Sequence, residues 1–134
     1  MTAPFLACMA TAAAFYHLPP RVLPSIQAVE AGHVGLVRVN GNGTADLGLM
    51  QVNTIWIVPL ARYARLMPGQ VADRLIHDGC FNVTAAAAIM RVYLTQAHGN
   101  VMRAIGHYHS HTPGLSRDYQ ERVLSAAQAL FRHR

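Results

Sequence analysis

Acidic side chains are scarce in this sequence. Its 134 residues include six, Glu30, Asp46, Asp73, Asp78, Asp118 and Glu121, against eleven basic residues that are all arginine, for a formal charge of +5. Any chemistry that needs a carboxylate therefore has few possible owners. Charged residues make up 13% of the chain and hydrophobic ones 52%, which excludes an intrinsically disordered polymer. No apolar run approaches the roughly 18 residues of a membrane-spanning helix, so stable membrane insertion is not expected. Arginine blocks and interleaved basic and aromatic residues are also missing, which weakens a nucleic-acid reading. The positive charge still suits an anionic polymer, including an acidic cell-wall glycan. Cysteine is limited to Cys8 and Cys80. One bridge or two buried thiols would both satisfy that count.

The length fits one domain, residues 1–134, with a core of its own. Phe5 to Phe15 is apolar, but no positive segment precedes it and no small-residue cleavage site follows. It reads as a first helix, from about Pro4 to Tyr16, and an export signal is expected to be absent from this chain. A second helix is expected from Pro20 or Arg21 to near Gly32, tolerating Pro24 in its opening turn. Val37 and Val39, the Asn40 to Thr44 turn and Ala45 to Leu47 predict a small β-hairpin. Gly48 to Leu66 predicts two short helical pieces interrupted near Pro59. Further helices are expected over Pro68 to Ile76, Asn82 to Ala97, Asn100 to Tyr108, and from a Ser116 cap to Phe131. In Asn82 to Ala97 the helical spacing of Thr84, Ala88, Ile89, Val92, Tyr93 and Gln96 carries the reading. The total is six to eight helices around one hairpin, a mainly α fold.

Glu30 stands at the end of the largely apolar run from Val22 to Val29. On a helix it lies four residues after Ile26 and eight after Val22, beside the buried stripe. Loss of water there favours the protonated carboxyl, which is how a general acid is made.

Five patches, in order, resemble the small single-domain lytic transglycosylases of the lysozyme-like superfamily that are associated with bacterial secretion, conjugation and pilus systems. They are Cys8; Ile26 to Glu30; Asn40 to Asn53, with its Gly48-Leu49-Met50-Gln51-Val52-Asn53 segment and Trp56 beyond; Asp78 to Val83; and His98 to Tyr108. The resemblance implies an α+β lysozyme-like domain with a glycan groove between a helical lobe and the hairpin lobe. It also implies that Glu30 is the one catalytic carboxylate, that Tyr108 orients the sugar or the glutamate, and that Cys8 and Cys80 are bridged in an oxidising compartment. The implied substrate is the glycan strand of peptidoglycan, in the periplasm or cell envelope, cleaved to 1,6-anhydromuramyl ends. Components of a secretion, conjugation or pilus assembly are the implied partners. The alternative is a weakly active or inactive module that grips peptidoglycan.

Beside Glu30, the amides of Gln51 and Asn53 suit sugar acetamido and hydroxyl groups. Met50 and His109 are further candidates for substrate contact. Asp46 is read as a turn or capping residue supporting the site, and Asn82 and Tyr93 as supporting or cleft positions. Trp56 reads as core or groove wall. The alternation of His107, His109 and His111 enters a loop without a completing Cys or carboxylate, so no metal or other cofactor is expected. Three positions depart from the resembled pattern. Ala31 replaces a serine after the glutamate, His109 replaces an asparagine after the tyrosine, and Gly79 replaces a proline.

Overall fold

The computed structural model describes residues 5–110 and 112–132. Pro4 and His111 lie outside them. Seven α-helices and a three-stranded antiparallel sheet follow one another as α1 (Leu6–Phe15), α2 (Val22–Glu30), β1 (Val37–Val39), β2 (Ala45–Leu47), β3 (Val52–Asn53), α3 (Ile57–Ala64), α4 (Pro68–His77), α5 (Gly79–Gln96), α6 (Val101–His109) and α7 (Pro113–Phe131), with a 3-10 turn at Thr54–Trp56. The mainly α lysozyme-like expectation is therefore met.

Helix α2 keeps Pro24 in its opening turn, where no intrahelical N–H is needed, and buries Val22 through Gln27. It ends at Glu30 because Ala31 turns left-handed at φ 53°. Central α5 packs against α1, α4 and α6. Those neighbours bury Ala85, Ala86, Ala87, Ile89, Met90, Tyr93 and Leu94, whereas Thr84, Val92 and Gln96 are exposed. A single predicted stripe failed here because a helix enclosed on several sides has no single apolar face. Its start is also earlier than expected. The Asp78 carboxylate accepts from Phe81 N–H at 3.0 Å, and the helix begins at Gly79.

Four further expectations are corrected. Gly48 to Trp56 is a turn, a strand and a 3-10 turn rather than a helix, so the hairpin becomes a three-stranded sheet in which Asp46 pairs with both Arg38 and Asn53. Asp46 is thus a strand residue, not a turn or cap. Pro59 lies in the first turn of α3, where it interrupts nothing. Ser116 does not cap α7; Thr112 occupies the cap position with Pro113 next, and Ser116 is buried inside the helix.

The Gly48 turn is locked to the helices. Gly48 has φ 71°, and a Cβ there would collide with the Leu75 carbonyl and lie 2.6 Å from Asn82 Nδ2. Asn82 is fully buried. Its Nδ2 donates to Leu47 O at 2.9 Å and Leu75 O at 2.8 Å, while its Oδ1 accepts from Met50 N–H at 2.8 Å. One side chain therefore joins β2, the turn and α4.

Helices α6 and α7 touch closely at Gly106, where a Cβ would run into Ser116 Oγ and sit 2.6 Å from Gln120 Nε2. Gly106→Ala is expected to push them apart and to destabilise the fold by about 1–3 kcal/mol, despite alanine's better helix propensity. Thermal unfolding followed by circular dichroism checks this. An unchanged or raised midpoint would contradict the close approach.

Cys8 on α1 and Cys80 on α5 form a disulfide, with Cα atoms 5.5 Å apart.

Candidate active site

A groove of about 590 Å³ runs between the sheet lobe and the helices. Asn40, Thr44, Asp46 and Asn53 line it from the lobe, and Tyr93, His107 and Tyr108 from the helices. Glu30, the final residue of α2, lies in its wall.

The Glu30 carboxyl is half-buried, and its Oε2 accepts a hydrogen bond from Tyr119 Oη at 2.6 Å. Desolvation raises its pKa above the ordinary glutamate value. The Tyr119 hydrogen bond opposes the rise, the Asp46 charge adds to it, and Arg122 and Arg38 pull against it; the net direction is upward. Tyr119, on α7, is 1% exposed. Burial first and the Glu30 charge second raise its own pKa, so the phenol stays protonated and donating. The His109 ring stacks on it, centroids 4.7 Å apart and planes within 6°.

Gln51 holds φ 55°, an uncommon backbone for a residue with a Cβ. Its side chain secures that turn. Nε2 donates to Gly48 O at 3.0 Å and Asp46 O at 3.4 Å, and Oε1 accepts from Arg38 Nη1 at 3.4 Å. The same Arg38 nitrogen donates to Glu30 O at 3.0 Å, tying β1 to the C-terminal end of α2. Tyr108 lines the groove with its ring, but its hydroxyl donates to Met50 O at 2.9 Å. Burial, then the Glu30 and Asp46 charges and Tyr93, raise its pKa well above that of a free phenol.

Several predicted positions take different places. Met50 is fully buried, acts through its backbone and is absent from the groove wall among the described residues. Asn82 sits behind the turn as a support, again outside that wall. Asn53 does both jobs: it lines the groove while Nδ2 donates to Asp46 Oδ1 at 2.9 Å and Thr44 Oγ1 at 3.1 Å. Tyr93 lines the groove edge-on to Trp56, with centroids 5.8 Å apart. His109 reaches the groove but also backs Tyr119. Among the described residues no group of three His, Cys, Asp or Glu is placed to hold a metal ion.

Two residues of this arrangement were not singled out from sequence. Tyr119 lies 89 residues from Glu30, and its place with Ser116 and Val123 on the buried face of α7 marks it as core and nothing more. Arg38 is an exposed residue of a three-residue strand. Each gains its significance from contacts across the chain.

The family model described as Transglycosylase SLT domain matches residues 7–129. The chain belongs to that family. As a transglycosylase SLT domain it is similar to Protein IpgF of Shigella flexneri, with 29% identity over 126 residues, covering 93% of this chain and 77% of that protein. Protein IpgF of Shigella sonnei matches with the same identity and coverage. The SLT match places the chain in a lytic transglycosylase family whose members act on peptidoglycan. No helix among the described residues is long and apolar enough to cross a membrane. In this SLT domain Ala31, at the position where serine was expected, is an exposed left-handed cap of α2.

Proposed function

We propose that residues 1–134 act as one lytic transglycosylase domain that cleaves the bond between N-acetylmuramic acid and N-acetylglucosamine in peptidoglycan and leaves 1,6-anhydromuramyl ends. The observation that carries this reading is the Glu30 carboxyl, desolvated in the groove wall and held through Oε2 by Tyr119. With Oε2 accepting from the phenol, the acidic proton sits on Oε1. Oε1 donates it to the glycosidic oxygen as the bond to the muramyl C1 breaks and positive charge develops on that sugar. The resulting carboxylate, still stabilised by Tyr119, takes the proton of the muramyl O6 hydroxyl as O6 bonds to C1. Proton and bond counts balance, no water is consumed, and the attack gains the high effective molarity of an intramolecular reaction.

Asp46 serves this scheme indirectly. Its Oδ1 holds Asn53, and its charge raises the Glu30 pKa. Gln51, Asn53 and His109 are assigned to substrate contact, with Tyr108 and Tyr93 as aromatic walls. Met50 is assigned to support through its carbonyl. The working location is the periplasm or cell envelope, and a secretion, conjugation or pilus assembly is the partner class suggested by the family resemblance.

Digestion of purified peptidoglycan followed by mass spectrometry tests the reading. Muramyl ends lighter by one water than hydrolytic ends are expected. Reducing muramyl ends would overturn the non-hydrolytic mechanism. Tight glycan binding without cleavage would favour a binding module instead.

Tyr119→Phe removes the donor to Glu30. A hydrogen bond to a charged group contributes about 1.5–3 kcal/mol, so cleavage below the Glu30 pKa, where the acid is fully loaded and its developing carboxylate loses this donor, should fall roughly 10–100-fold. That bond lowers the Glu30 pKa, so its loss moves the alkaline limb of the pH–rate profile upward. A rate profile that moves downward would count against this assignment.

A further inference from the structure

Trp56 and Ile89 line a second groove as well as the first. This one, about 320 Å³, lies between the end of α1, α3 and α5, and its walls include Tyr16, Leu60, Tyr63 and Val92. Tyr63 is 65% exposed and Val92 41%, and Phe15 stands edge-on to Tyr16 with 71% exposure. An exposed apolar surface of this kind is characteristic of binding sites. Trp56 and Ile89 thus form a wall common to both grooves, which sets the second groove's occupant beside the strand lying in the first.

Charge narrows the occupant further. Helices α1, α3 and α5 contain no aspartate or glutamate, while α3 has Arg62 and α5 has Arg91. Asp78 caps the far end of α5 from Val92. Arg91 lines the groove, and contacts of its Nη1 with Tyr16 O at 3.4 Å and of its Nε with Thr95 Oγ1 at 3.3 Å hold the guanidinium at the edge. A sugar would bring several hydroxyls needing partners, but the two tyrosine hydroxyls here are bonded to each other at 2.9 Å. A short peptide with small apolar side chains and free carboxylates matches both the apolar walls and Arg91.

Muramyl residues of peptidoglycan carry such a peptide. We propose that this second groove seats the acidic stem peptide of the strand bound in the first, making the chain selective for peptide-bearing over naked glycan. The proposal rests on the reading that the first groove takes peptidoglycan.

The test compares peptide-bearing glycan with the same glycan stripped by an amidase. Wild-type kcat/KM is expected to be roughly tenfold higher on the peptide-bearing strand. Tyr63→Ala combined with Val92→Glu, both at exposed positions, should bring that ratio to about one without changing the rate on naked glycan. Cleavage of both substrates at equal rates by the wild type, or a preference that the double variant keeps, overturns the proposal while leaving the lytic activity standing. Binding of both glycans to the Glu30→Gln chain gives a second readout. If no substrate is cleaved but the double change abolishes a preference for peptide-bearing glycan, the groove assignment stands and the catalytic reading falls. Sedimentation of the wild type as a dimer and of the variant as a monomer would assign the groove to a second copy and overturn the proposal.

Discussion

Glu30→Gln is expected to leave the chain folded and to lower the formation of anhydromuramyl ends by at least about 10²–10⁴-fold, the usual contribution of a general acid and base. Glutamine can still accept from the Tyr119 hydroxyl, so the local geometry is kept while the transferable proton is lost. The stability effect has a definite sign. The folded-state pKa of Glu30 lies above its unfolded value because burial raises it. Its contribution is therefore fully present below the ordinary glutamate range and is lost as pH rises through the folded-state pKa. Above that folded-state pKa the wild type holds a desolvated carboxylate that the variant lacks. Glu30→Gln should therefore be at least as stable there, with the gap closing toward acid. Urea unfolding across that pH range, beside product analysis, measures both effects. Retained cleavage would move the chemistry to another residue, and a variant whose stability relative to the wild type falls as pH rises would contradict the desolvated environment.

The second large effect concerns stability, and through it the groove. Asn82→Ala is expected to destabilise the chain by at least about 3 kcal/mol, because Met50 N–H and the Leu47 and Leu75 carbonyls each lose a buried partner. Activity should fall with it, since Met50 carries the carbonyl that receives Tyr108 and the adjoining Gln51 lines the groove. Chemical denaturation gives the first quantity and cleavage at a temperature where the variant remains folded gives the second. A loss under about 1 kcal/mol would mean that relaxation or water satisfies the freed groups.

The same network explains where sequence reasoning went astray. The apolar content of Gly48 to Leu66 suits two short helical pieces, the first of them ahead of Pro59. Asn82 and the close approach of Gly48 to Leu75 instead hold the turn in place, and β2 pairs with β3 beyond it. Short apolar segments leave helix and strand nearly balanced, so partners distant in sequence decide. Met50 shows the consequence for the site. Its place beside Gln51 suggested a shared wall, but the turn sends Gln51 to the groove and Met50 into the core.

Much was nevertheless legible along the chain. Helices α1, α2, α4, α5, α6 and α7 lie near their expected positions, and both strands of the hairpin match Val37 to Val39 and Ala45 to Leu47. Helix punctuation accounts for this: Pro19-Pro20, Gly99-Asn100 and Pro113-Gly114 are local signals that need no tertiary partner. Glu30 was also legible, because scarce acids and the apolar run before it are properties of sequence. The environment that raises its pKa was not.

The sequence by itself determined the helical framework, the hairpin and the singular position of Glu30, since each depends on neighbours within a few residues. Tertiary structure alone decided that Tyr119 donates to that carboxyl, that Arg38 ties the sheet to α2 and that Asn82 locks the turn. Hydrogen bonds between residues far apart leave no periodic trace in a sequence, because their geometry exists only after the helices pack.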